Sequence, residues 1–183
     1  MNIYKIIANC LSASRLLIPF VLFWPTGSII EKMVITLFLV STDFVDGWIA
    51  RKGGSASKLG ELIDHTSDKV AFVSIGLFIW TNNLVPFPIV FTALVSEILI
   101  FLLSILIMKL NSRLIITKIG RTKMLFFCVG FLFIFLNQIF PKDIFETLTF
   151  VSFVTGILLS LILNLFYSKK IIQLAIYGDK KAV

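Results

Sequence analysis

The sequence predicts an all-α integral membrane protein with six transmembrane helices and an N-terminal interfacial amphipathic helix. Three observations carry this reading. The 183-residue chain is 58% hydrophobic and only 15% charged, whereas globular chains average roughly 45–50% apolar and about 25% charged. Its mean hydropathy is +1.00. Its apolar residues also gather into stretches of the length that crosses a bilayer. The length suits one membrane domain over residues 1–183, with no room for a sizeable soluble one.

Residues 1–9 (MNIYKIIAN) place Ile3, Ile6 and Ile7 at helical spacing, as expected of a short helix lying along the membrane surface. Apolar stretches follow over residues 10–25, 33–50, 61–81, 84–108, 122–140 and 146–167, each read as one span. Lys5 ahead of the first stretch raises a signal peptide, but no small-residue cleavage site follows Trp24-Pro25, so the segment is expected to be retained. Trp24, Trp48 and Trp80 fall near span ends, where interfacial anchors sit. Gly53-Gly54-Ser55 marks a turn between the second and third spans. There is no internal repeat and no low-complexity linker.

Six spans put both termini on one side. Of the 17 Lys and Arg residues, all but Lys32 and Lys142 then share that side. The positive-inside rule makes it cytoplasmic, so the expectation is a multi-pass protein of the cell (inner) membrane. The net charge of +7 would suggest nucleic acid in a soluble protein. Here the basic residues lie between apolar stretches, where they set topology and attract anionic lipid, and no nucleic-acid partner is expected. Cys10 and Cys128 are far apart and suggest neither a disulfide framework nor a metal site.

Five of the 10 acidic residues fall in STDFVDGWIARKGGSASKLGELIDHTSDKV, which ends the second span and starts the third. Asp43, Asp46, Gly47 and Ala50 share one helical face, and Gly60, Asp64 and Asp68 share another. Helices joined by a short turn run antiparallel, so the two faces can meet with four carboxylates converging near the cytoplasmic boundary. Each aspartate at mid-membrane costs about 2.5–3.5 kcal/mol, and four together repel. Divalent cations remove both costs: carboxylates are hard ligands suited to Mg²⁺ or Mn²⁺, and four can hold two ions. Two such ions form a clamp for a diphosphate during in-line displacement. Any one aspartate could instead cap a helix or pair with Arg51, Lys52, Lys58 or Lys69. That alternative leaves the small residues Gly47 and Ala50 on the acidic face unexplained, whereas admission of a bulky phosphate ligand accounts for them. A divalent-cation transporter also places acids in membranes, but transport sites favour the midplane and broken or repeated helices. His65 points to another helix face and is read as a bystander, and Glu61 as either a support for the acidic site or an interfacial residue.

The whole segment, Asp43-x2-Asp46-Gly47-x2-Ala50-Arg51-x8-Gly60-x3-Asp64-x3-Asp68, matches all eight specified positions of the signature of the CDP-alcohol phosphotransferases, and the chain resembles that family. The resemblance implies a phosphatidyltransferase acting on CDP-diacylglycerol and a small alcohol acceptor, with two Mg²⁺ (or Mn²⁺) ions and a homodimeric state. It implies that Asp43, Asp46 and Asp64 ligate one ion and Asp43, Asp64 and Asp68 the other, with Asp68 also the general base. It further implies that Gly47, Arg51 and Ser57 contact the CDP portion, that Gly60 allows its close approach, and that Asn9 and Ser12 assist from the N-terminal segment.

Within the family the layout is most similar to bacterial phosphatidylglycerophosphate synthases, on the strength of Asn9-x5-Arg15, Glu97, Gly120-Arg121-Thr122-Lys123 and Tyr167. Glycerol 3-phosphate is accordingly the first expectation for the acceptor. Two positions depart from that subfamily, Ser96 and Ser104, where arginines suited to phosphate capture are expected. Arg113, Arg121 and Lys123 are the candidates to bind an acceptor phosphate instead. Inositol, inositol phosphate, serine or a lipid alcohol are the alternatives.

Overall fold

The computed structural model describes residues 10–52, 58–111 and 118–177. All regular structure among them is helical: α1 (Cys10–Phe23), α2 (Ile29–Lys52), α3 (Lys58–Thr81), α4 (Phe87–Asn111), α5 (Lys118–Ile139) and α6 (Asp143–Tyr177). The expected interfacial segment 1–9 and the turn at 53–55 lie outside the described residues. The helices fall into two compact units, α1–α3 within Met1–Leu84 and α4–α6 within Val85–Val183.

Local chemistry explains where the helices start and stop. Ser28 and Glu31 form a capping box at the head of α2, the Glu31 N–H donating to Ser28 Oγ at 3.2 Å and the Ser28 N–H to Glu31 Oε2 at 2.9 Å. Gly27 precedes them at φ +95°, where a Cβ is disfavoured. After α3 the chain turns through Asn83 at φ 53°, and Pro86 then accepts the first bonds of α4, from Ile89 and Val90. Asp143 and Glu146 occupy the first turn of α6 and complement its dipole. The apolar stretch ended at residue 167, yet α6 runs on to Tyr177. Ser168, Lys169 and Lys170 lower the hydropathy there, but lysine is a good helix former, so polarity ends the apolar run without ending the helix.

The distribution of side chains is the reverse of a soluble protein's. Arg15, Glu97, Lys123 and a series of serines and threonines are buried, while Phe20, Phe38 and Leu165 are 68%, 69% and 65% exposed. Lipid is the solvent that tolerates such an exterior, and it leaves polar groups to find partners inside. Several buried hydroxyls do so on their own helices: Thr36 donates to the Lys32 carbonyl at 2.8 Å, Ser74 to Val70 at 2.7 Å and Thr149 to Phe145 at 2.8 Å. Among the described residues, α4 over Phe87–Ile107, α5 over Lys118–Ile139 and α6 over Asp143–Leu174 are long and apolar enough to cross a membrane. Helices α2 and α3 have 24 residues each, a rise of about 36 Å at ~1.5 Å per residue.

In the first unit, α1 packs on both α2 and α3. Its buried residues Ser12, Arg15, Ile18 and Leu22 recur every three or four positions and so form one face. The chain tightens into a 3-10 turn at Arg15–Leu17. In the second unit, α6 packs against both α4 and α5. Ile100 and Ile107 of α4 meet Leu163 and Tyr167 of α6 in a common core.

The α5–α6 seam is set by two glycines, each facing a phenylalanine of the other helix. A Cβ at Gly130 would sit 2.7 Å from ring atoms of Phe153, and one at Gly156 would sit 2.9 Å from the ring of Phe127. The two rings themselves meet edge to face, with centroids 5.7 Å apart. Small residues let membrane helices approach closely, which is the main attraction available in lipid. Gly130→Ala should therefore displace a buried ring and destabilise the protein by about 1–3 kcal/mol. Thermal unfolding in detergent measures this, and an unchanged midpoint would mean that the seam tolerates the extra methyl group.

Candidate active site

Helices α2 and α3 carry the acidic signature on either side of residues 53–57. Asp43, Asp46, Gly47 and Arg51 lie on α2, and Gly60 and Asp64 on α3, all within helical backbone whose side chains fall outside the described residues. Asn9 and Ser57 lie outside them altogether. Ser12 is buried on the inner face of α1.

Asp68 is the signature aspartate whose side chain is described. It is 30% exposed, and it forms an ion pair with Arg15 of α1, which is 2% exposed. The Arg15 Nη1 donates to Asp68 Oδ1. Residues 53 positions apart in sequence thus meet at the candidate site. Burial would make an isolated guanidinium very costly, and the carboxylate offsets that cost. Ser67, beside Asp68, is fully buried.

The donor set fits divalent cations. It consists only of carboxylate oxygens, spaced i, i+3 on α2 and i, i+4 on α3, with successive acids one helical turn apart. Among the residues with described side chains no group of three or more metal-capable residues gathers. Three of the four aspartates lie outside that set.

The second unit holds another buried charge cluster. Glu97 on α4 is 1% exposed and Lys123 on α5 is 2% exposed, and the two form an ion pair. The same Glu97 Oε1 accepts a hydrogen bond from Ser160 Oγ of α6 at 3.1 Å. One turn further along α6, Asn164 Nδ2 donates to the Ser96 carbonyl at 3.2 Å. Three helices therefore converge on one carboxylate. Ser104, the other serine in place of an expected arginine, is buried and donates to the Phe101 carbonyl at 2.7 Å.

Of the basic residues grouped by sequence for the acceptor, two are described, and their surroundings differ. Arg113 lies outside the described residues, Arg121 is exposed, and Lys123 is buried against Glu97. Positions two apart on a helix point about 200° apart, so Arg121 and Lys123 cannot face one small ligand from the same side of α5. Sequence reasoning missed both ion pairs. A signal existed for Glu97: a lone acid inside an apolar stretch needs a cation, and Lys123 is the basic residue inside the next stretch.

Comparison with known proteins gives this arrangement a class. Residues 5–164 match the CDP-alcohol phosphatidyltransferase family, and the chain belongs to that family of membrane transferases. Among its relatives, CDP-diacylglycerol--glycerol-3-phosphate 3-phosphatidyltransferase of Aquifex aeolicus is 26% identical over 90% of this chain and 94% of its own length. The protein of the same name from Treponema pallidum is 32% identical over 36% of this chain, and the match spans 33% of that relative. Phosphatidylinositol phosphate synthase of Mycobacterium tuberculosis has a similar structure, with a TM-score of 0.55 at 18% identity, covering 92% of this chain and 86% of that one. That likeness shows a shared fold.

Proposed function

We propose that this protein transfers a phosphatidyl group from CDP-diacylglycerol to a small alcohol, with glycerol 3-phosphate the favoured acceptor, and releases CMP. The observation that carries the reading is the eight-position acidic signature on α2 and α3, lying within the stretch that matches the family. The acceptor assignment is supported by the Aquifex aeolicus relative, which aligns over nearly its whole length.

In this reading Asp43, Asp46 and Asp64 hold one Mg²⁺ or Mn²⁺ ion and Asp43, Asp64 and Asp68 the other. When bound, the two ions clamp the diphosphate and stabilise the entering and leaving oxygens. Gly47, Arg51, Ser57 and Gly60, with Asn9 and Ser12, receive the CDP portion, and Arg51 neutralises charge on the departing CMP. Asp68 accepts the proton of the acceptor hydroxyl, a poor nucleophile near neutral pH. The hydroxyl oxygen forms a bond to the phosphorus of the lipid phosphate, and the bond from that phosphorus to the bridging oxygen of CMP breaks. Arg113, Arg121 and Lys123 are the proposed acceptor contacts, with the opposed directions of Arg121 and Lys123 favouring only one of these two as a direct ligand. Six spans, an interfacial helix over residues 1–9, cytoplasmic termini and active site, and a homodimer complete the proposal.

A second reading keeps the chemistry and changes the acceptor to inositol, inositol phosphate, serine or a lipid alcohol. The serines at 96 and 104, buried on α4, favour those of these acceptors that carry no phosphate, because neither serine can supply a guanidinium fork. Purified protein given labelled CDP-diacylglycerol and a panel of these acceptors should release CMP fastest with glycerol 3-phosphate. Faster release with inositol phosphate would transfer the assignment. Turnover should vanish on chelation and return with Mg²⁺ or Mn²⁺, and full activity after exhaustive chelation would end the two-ion mechanism.

A further inference from the structure

The pair between Arg15 and Asp68 joins the candidate base to a helix that the signature does not include. Arg15 is 2% exposed on α1, while Asp68 on α3 is 30% exposed, so the cation is enclosed by protein and the carboxylate is the more accessible partner. Ile18 and Leu22, both buried on the same face of α1, hold the helix that carries the guanidinium against its neighbours. Arg15 therefore has a rigid mount, and a planar fork matched to a carboxylate.

We infer that Arg15 is a positioning residue that serves as a built-in stand-in cation for Asp68, holding its carboxylate in place while the site is empty and weakening the site's hold on divalent ions. The inference rests on the reading of Asp68 as a metal ligand. Four carboxylates without ions repel, and a fixed positive charge on one of them relieves that repulsion in the empty protein. The same charge opposes an incoming divalent cation, because like charges a few ångströms apart repel strongly where water is scarce. A carboxylate has two oxygens and about four acceptor positions, so the bond from Arg15 to Oδ1 is compatible with an ion held by the same carboxylate. Metal affinity is thus lowered by design, and the empty site remains assembled.

The test uses Mn²⁺ alone, without substrate, followed by electron paramagnetic resonance on the full-length protein in detergent. Arg15→Gln removes the charge but keeps a hydrogen-bond donor, and it should tighten Mn²⁺ binding by tenfold or more. The same variant should melt earlier than the parent without metal and regain more stability when Mn²⁺ is added. Arg15→Lys retains the charge and should bind Mn²⁺ within about threefold of the parent. Unchanged or weaker Mn²⁺ binding by Arg15→Gln overturns the inference. So does tightening of the same size in Arg15→Lys, since charge would then not be the cause. Asp68→Asn separates the two ideas. If it binds Mn²⁺ as the parent does, the metal-ligand reading itself fails. If it loses an ion while Arg15→Gln behaves like the parent, only the role of Arg15 is lost.

Discussion

Asp68→Asn should reduce turnover by about 10²–10⁴-fold, the range over which positioned general bases act, while CDP-diacylglycerol binding stays within a few-fold of the parent. The replacement keeps the size of the side chain and one oxygen able to accept from Arg15, so the contact between α1 and α3 survives. What it removes is the capacity to take a proton and the charge that would hold an ion. The two losses act on catalysis more than on lipid capture, because the CDP portion is assigned to Gly47, Arg51, Ser57 and Gly60. CMP release and equilibrium binding of labelled CDP-diacylglycerol measure the two quantities on one preparation. Near-normal turnover would remove Asp68 as the base, and equal loss of binding would make it a substrate-binding residue.

The second large effect belongs to the buried pair of the other unit. Removing one partner of Glu97 and Lys123 leaves an uncompensated charge inside a helical bundle, a change that costs about 3–5 kcal/mol in buried sites. Lys123→Met should therefore lower the unfolding midpoint sharply, with Glu97 stranded at 1% exposure. Glu97→Gln should cost less, since its amide oxygen still accepts from Ser160, but it leaves the ammonium without its anion. The double variant Glu97→Gln/Lys123→Met removes both charges of the pair and should recover most of the loss. Unfolding in detergent reads all three. If the double variant is no more stable than Lys123→Met, the pair does not act as a unit. Should Lys123→Met instead keep full stability and lose acceptor affinity, its ammonium belongs to the substrate.

The helices of this protein were legible because apolar stretches and helices obey the same length rule in a membrane. The stretch 84–108 became α4 and the stretch 122–140 became α5, each displaced by only a few residues. Discrepancies arose where polarity and backbone preference part company. Helix α2 starts at Ile29, ahead of the stretch that began at 33, because the capping box of Ser28 and Glu31 directs the backbone while Glu31 and Lys32 depress the hydropathy. The acidic signature was legible as spacing, since period and chemistry both lie within a short piece of chain. Its partners were not. Arg15 meets Asp68 across 53 positions, and Lys123 meets Glu97 across 26. Such meetings depend on which faces pack together, and α4, with apolar residues nearly all round, does not advertise its inner face. The serines at 96 and 104 illustrate the limit. In the sequence they stood out as missing arginines, whereas in the structure they line the same buried side of α4 as Glu97.

Because α6 is synthesised after α4 and α5, Glu97 and Lys123 leave the ribosome before the segment bearing Ser160. The earlier two segments then enter the bilayer as a charged couple without the Ser160 hydroxyl, which arrives with α6. Insertion and assembly are then separable in time, and in the interval between them the packing around the charged pair is incomplete.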